Sequence, residues 1–143
     1  MSSKIRNRLA SQQGFTLIEL LVVIVILGVL VAIAVPSYLS FRDKATTAAA
    51  EANVRSAIPA AESFYNDPST GNGTYANING AALRAQAPGV SPDITAAQKT
   101  NDSSAYCIQD AKVASSTYHY EGGNGGASVI ATGACPAGYD AQA

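Results

Sequence analysis

Gly14-Phe15-Thr16-Leu17-Ile18-Glu19 opens the stretch that decides how this chain is organised, and the run Leu20 to Val35, without one polar side chain, completes it. Phe15 to Val35 spans 21 residues, of which Thr16 and Glu19 alone are polar. As a helix rising about 1.5 Å per residue, that length covers about 32 Å, the hydrocarbon thickness of a bilayer. Val and Ile dominate, which suits a strand equally well. A single strand cannot satisfy its backbone in lipid, so the expectation is a membrane helix.

Upstream of this run stand Lys4, Arg6 and Arg8, and no Lys or Arg follows until Arg42. Positive charge on that side places the N-terminus in the cytoplasm and the rest of the chain outside. An ordinary secretory signal is cut after its apolar core, at small residues. Here the small residue, Gly14, precedes the apolar run. A cut at Gly14 would remove a basic, polar leader and leave the apolar helix on the mature protein.

Gly14 to Glu19, the basic leader before it, the apolar run after it and Pro36 near the end of that run resemble the class III signal of type IV pilins and pseudopilins. The resemblance covers about Lys4 to Tyr38. It departs from many relatives in lacking a Lys or Arg directly before Gly14, where Ser11-Gln12-Gln13 stand. The resemblance implies that a membrane prepilin peptidase cleaves between Gly14 and Phe15, and that the new Phe15 amine is N-methylated. Gly14 is then substrate. Taken alone, it reads as a glycine where a helix begins.

Glu19 is the informative charge. A carboxylate inside an apolar helix costs about 2.5–3.5 kcal/mol on insertion scales and usually marks function. No Lys or Arg lies between Phe15 and Phe41. Cleavage would create a cation in the Phe15 α-amine, normally charged at neutral pH. At about 4 Å and an effective dielectric of about 20, such a pair gains on the order of 4 kcal/mol, enough to offset the burial. It would also fix the axial register between apolar helices, within one chain or between neighbours. The alternative is a Glu19 that snorkels to the interface. Gly28 and Pro36 both weaken a helix, though membrane helices tolerate them. The resemblance implies a locally melted stretch between them in a filament.

Downstream, Ser37 to Tyr65 reads as continuing helix, with an apolar stripe at Val54, Ile58, Ala61 and Tyr65 suited to packing on a sheet. Pro59 predicts a kink. Asn66-Asp67-Pro68-Ser69-Thr70-Gly71-Asn72-Gly73 stops the helix. A short helix is expected at Ala81–Ala87, then strands at Ala105–Ala111, Thr117–Glu121 and Ala127–Ala131, the last two joined through Gly122-Gly123-Asn124-Gly125-Gly126. The expected fold is α+β: a long N-terminal α-helix, transmembrane and then amphipathic, packed on a small C-terminal antiparallel β-sheet head. The expected divisions are a leader at 1–14, a hydrophobic membrane and polymerisation helix at 15–36, an amphipathic helix at 37–65 and a globular head at 66–143. Cys107 and Cys135 form an even pair, and in a thin, exported head they predict one disulfide.

Other chemistry is poorly represented. Charged residues are 13% of the chain, and from Asn66 onward three basic residues face six acidic ones, so direct nucleic-acid binding is not expected. His119 is the one histidine and lies between Tyr118 and Tyr120 on an expected strand, which suits a structural or exposed role. Neither Asp67 with Asn72 nor the Asn124 loop has the carboxylate spacing of a calcium loop, so no metal or cofactor is expected. Asn72-Gly73-Thr74 and Asn101-Asp102-Ser103 match glycosylation acceptors, a pattern common by chance. The expectation is therefore a structural subunit rather than an enzyme. It starts in the cytoplasmic membrane with its head outside, pairs with prepilin peptidase and the pilus assembly machinery, and polymerises with itself into an extracellular pilus. The alternatives are a pseudopilin of type II secretion, a competence-pilus subunit for DNA uptake, or a monomeric membrane-anchored binding module.

Overall fold

A computed structural model describes residues 14–110, 112 and 117–141. It divides into two units between Phe41 and Arg42. Helix α1, Leu17–Asn66, supplies residues to both.

Within the first unit α1 is helical throughout, Gly28 and Pro36 included. Its large apolar side chains are exposed all round: Val22, Val23, Ile24 and Val25, which point to successive sides of the helix, each leave about half their surface open. A helix apolar on every face belongs in lipid or inside an assembly. This one is long and apolar enough to cross a membrane.

In the second unit, α1 buries Ala50, Val54, Ala57, Ala60, Ala61 and Phe64. Their spacing makes one narrow stripe, and all of it except Ala50 joins the hydrophobic core shared with the sheet. The stripe is rotated from the expected one: Val54 and Ala61 are buried, whereas Ile58 and Tyr65 are half-buried at its margin. Helical assignment continues through Pro59, whose ring is exposed while Ala57, Ala60 and Ala61 beside it pack normally, so the expected kink does not end the helix.

The C-terminal end of α1 turns at Gly71, whose N–H donates to the Phe64 carbonyl at 3.0 Å. A Cβ there would lie 2.3 Å from that carbonyl oxygen, so only glycine fits. Helix α2, Gly80–Gln86, is capped by Asn79, whose side chain accepts from the Ala82 N–H at 2.9 Å. Five strands follow: β1 Ile94–Lys99, β2 Asp102–Asp110, β3 Tyr118–Gly123, β4 Ile130–Thr132 and β5 Tyr139–Ala141. They form one sheet in the order β4-β3-β2-β1-β5, every neighbouring pair antiparallel.

The three expected strands exist with shifted ends. The expected end at Ala111 lies outside the described residues. β4 starts at Ile130 rather than Ala127 because the chain is still turning at Ser128, whose N–H donates to the Glu121 carbonyl at 2.9 Å and whose φ is 55°. β1 and β5 were not expected. Ile94-Thr95-Ala96-Ala97-Gln98-Lys99 has no clean alternation. β5 is three residues placed by long-range pairing to β1.

Register sorts the sheet into two faces. Ala96, Ile108, Tyr120 and Ile130 align across the inner face, with Tyr106 opposite Gln98 and Gly122. This face joins α1, α2, Tyr75 and Ile78 in the hydrophobic core. Tyr65, Tyr75, Tyr106 and Tyr120 contact one another in sequence with tilted rings, at centroid distances of 4.8, 4.3 and 6.1 Å. The Tyr75 and Tyr106 hydroxyls both donate to the Glu62 carboxylate, at 3.2 and 2.9 Å. Burial first, then this negative neighbour, raises both phenols far above their ordinary range.

The outer face carries Thr95, Gln109, His119 and Ala131 in one row and Ala97, Cys107 and Glu121 in the next. Residues 133–138 cross this face from β4, at one edge, to β5, at the other. The crossing is fastened along its length, and at its far end the Thr100 N–H donates to the Gly138 carbonyl at 2.7 Å. Gly133 N–H donates to the Thr117 carbonyl at 2.8 Å. His119 Nδ1 contacts the Gly133 carbonyl at 2.9 Å. Cys135 is bonded to Cys107, with Cα atoms 6.0 Å apart. The Cys135 N–H donates to Gln109 Oε1 at 2.7 Å.

Candidate processing and assembly site

The residues singled out around Gly14 lie at the start of α1, where the helix has a defined beginning. Thr16 is its N-cap: the Thr16 carbonyl accepts from the Leu20 N–H at 3.3 Å, the first bond of the helix. Thr16 Oγ1 accepts from the Glu19 N–H at 3.2 Å. Glu19 Oε2 in return accepts from the Thr16 N–H at 2.8 Å and from Thr16 Oγ1 at 2.7 Å. This reciprocal arrangement is a capping box, and it satisfies backbone donors that an apolar helix end would otherwise leave open.

The sequence expectation sought a cation for Glu19. In the intact chain the carboxylate is held instead by Thr16, since Phe15 still carries a peptide nitrogen rather than an amine. Thr16 is thus the residue missed, although Thr16-Leu17-Ile18-Glu19 spells the capping box directly.

Gly14 and Phe15 lie outside the helix, and Phe15 is 90% exposed. A Cβ built at Gly14 would meet nothing within 4 Å. Among the described residues, therefore, neither a close packing contact nor a place within the helix calls for glycine at this position. Gly28 likewise faces open space.

Cys107 and Cys135 are the disulfide, which lies in the head. His119 is buried; besides its Gly133 contact, its Nε2 lies 3.6 Å from Glu121 Oε1. Glu121 Oε2 accepts from the Tyr139 hydroxyl at 3.0 Å, and burial followed by this carboxylate pushes the phenol up to about 12. These contacts fasten the crossing segment. Asn72 and Asn101 are exposed with φ of 47° and 62°, each in a turn. Among the described residues no group of three or more His, Cys, Asp or Glu side chains comes together to hold a metal.

Residues 9–35 match the family model of the prokaryotic N-terminal methylation motif. The chain is similar to the type IV major pilin protein PilA of Myxococcus xanthus, 39% identical over 62 residues, which are 43% of this chain and 26% of that protein. It is also similar to the type II secretion system core protein G of Pseudomonas aeruginosa, 41% identical over 71 residues, covering 47% of this chain and 50% of that protein. With the type IV narrow pilus major component PilA5 of Thermus thermophilus it shares 51% identity over 53 residues, 37% of this chain and 42% of that protein. The chain thus spans from a quarter to half of the length of these relatives. No solved structure matches.

Proposed function

For a chain that belongs to the type IV pilin and pseudopilin superfamily, we propose the role of major pilin, the repeating structural subunit of a type IV pilus. The observation that carries it is the first unit of the structure: an all-round apolar helix preceded by an exposed Gly14–Phe15 bond. A soluble monomer has no use for that surface, whereas a lipid bilayer and then a bundle of identical helices would bury it.

The proposed divisions are a leader at 1–14, a membrane and polymerisation helix at 15–36, an amphipathic helix at 37–65 and a head at 66–143. A prepilin peptidase cuts after Gly14 and the Phe15 amine is methylated. That amine then joins the carboxylate already oriented by Thr16, and the Phe15–Glu19 pair sets register in the filament. Gly28 and Pro36 bound a stretch that is helical here and loosens on packing. The precursor stands in the cytoplasmic membrane with its head outside, and the product is an extracellular homopolymer raised by pilus assembly machinery. The head is a structural element rather than a catalyst.

Intact-mass measurement of the purified surface protein tests this reading. Loss of Met1–Gly14 with gain of one methyl group is expected, in subunits of filaments sheared from the cell. An uncut chain that stays monomeric in the membrane would instead identify an anchored binding module. A second reading, a pseudopilin of type II secretion, is favoured by the similarity to core protein G over half of that protein's length. Deletion of the gene separates the two: loss of surface pili supports the first, and loss of protein secretion with pili intact supports the second. Loss of DNA uptake alone would indicate a competence filament.

A further inference from the structure

The chain contains three Asn-Gly pairs: Asn72-Gly73, Asn79-Gly80 and Asn124-Gly125. Asn-Gly is the dipeptide best suited to self-modification, because glycine has no Cβ to keep its nitrogen from the asparagine side chain. The fold treats the three pairs differently.

Gly73 N–H donates to the Tyr65 carbonyl at 2.8 Å, and the Asn72 N–H donates to the Asp67 carbonyl at 3.0 Å. The would-be nucleophile is committed to closing the end of α1. Asn79 is committed through its side chain: Oδ1 accepts from Ala82 N–H and Nδ2 donates to the Asn77 carbonyl. Gly80 is also confined, since a Cβ there would lie 2.3 Å from the Ile94 carbonyl oxygen. Asn124 and Gly125 form the exposed turn between β3 and β4. The Asn124 N–H is held by the Ser104 carbonyl at 2.8 Å, which anchors the turn. The Asn124 side chain and the Gly125 N–H have no hydrogen-bond partner among the described residues. Nothing lies within 4 Å of the Cβ direction at Gly125.

We propose that Asn124 is a site of spontaneous backbone-assisted deamidation, selected by the fold over Asn72 and Asn79. Base from solvent removes the Gly125 amide proton, and the nitrogen attacks Asn124 Cγ. The new N–Cγ bond closes a succinimide, while the Cγ–Nδ2 bond breaks and ammonia leaves with a proton from water. Water then opens the imide. Hydrolysis at the side-chain carbonyl gives aspartate, and hydrolysis at the main-chain carbonyl gives isoaspartate. The net reaction is asparagine plus water to an acid plus ammonia, with no oxidant or metal. The product places a new carboxylate at a surface turn, adding one negative charge to a formal net charge of -1.

The test is peptide mapping by mass spectrometry of the purified full-length chain in detergent, aged in warm, mildly alkaline buffer, beside an identical sample in denaturant. In the native sample Asn124 should convert at least about fivefold faster than Asn72 or Asn79, the factor that one retained hydrogen bond contributes. In denaturant the three rates should converge. Asn124→Gln should abolish the acidic isoform that native ageing produces. Equal native rates at the three sites, a lead by Asn72 or Asn79, or a native Asn124 that stays unconverted while the denatured chain reacts would each overturn the proposal.

Discussion

Glu19 illustrates how much one residue can carry. Its carboxylate closes the capping box on Thr16 in the intact chain and, in the proposed filament, also meets the Phe15 amine. Substitutions separate these duties. Glu19→Gln keeps the box, because glutamine serves at this position, but removes the charge. It should leave cleavage normal and lower filament yield at equal expression; wild-type yield would refute the ion pair and leave the capping role standing. Thr16→Ala should weaken the first turn by about 1 kcal/mol, read as faster amide exchange at Glu19 and Leu20 in the detergent-solubilised chain, with Thr16→Ser close to wild type. A second carboxylate, Glu121, gives a pH prediction. Burial first, and this carboxylate second, raise the Tyr139 phenol, so the folded value of about 12 exceeds the unfolded value. The neutral phenol is thus favoured by folding, and its contribution is complete below about pH 10 and lost as pH rises through 12. Glu121→Gln should move the Tyr139 transition downward in an alkaline absorbance titration.

Among elements, α1 was legible and the sheet only in part. The apolar run and the Asn66–Gly73 stop mark the helix because each is a strong local signal. Its buried stripe was misplaced by part of a turn, since alanines at 57 and 60 join the core without looking apolar enough to draw notice. β1 escaped because its identity as a strand comes from pairing with β2 and β5, not from its own composition. Gly122 shows the same dependence on partners. It reads as part of a glycine-rich loop, yet it lies within β3 because the Tyr106 ring lies over it: a Cβ there would come within 2.4 Å of that ring. Gly122→Ala should destabilise the fold by about 1–3 kcal/mol in denaturant unfolding, the usual cost of overpacking. Tyr106→Phe should cost about 1.5–3 kcal/mol, because it removes a bond to the Glu62 carboxylate; a loss below half a kcal/mol would show that solvent substitutes for that bond.

At the scale of the whole chain, the proposed processing segment could be read from a few adjacent residues, whereas the head depends on contacts between distant ones. The Cys107–Cys135 bond is the one long-range feature that composition foretold. Cys107→Ser should lower head stability by about 3–4 kcal/mol under the closure model, measured by denaturant unfolding in detergent, and should leave the Gly14 cut untouched. The topology also permits a chronology. Strands β1 to β4 end by Thr132, so the four-stranded sheet can form before residues 133–138 are laid across it. The Cys107–Cys135 bond then holds the crossing segment that leads to β5, beside β1. Under the proposed export, the cytoplasm would hold the tail untied and the oxidising side would tie it. The knot would thus act as a postmark, recording that a subunit has crossed before it is built into anything.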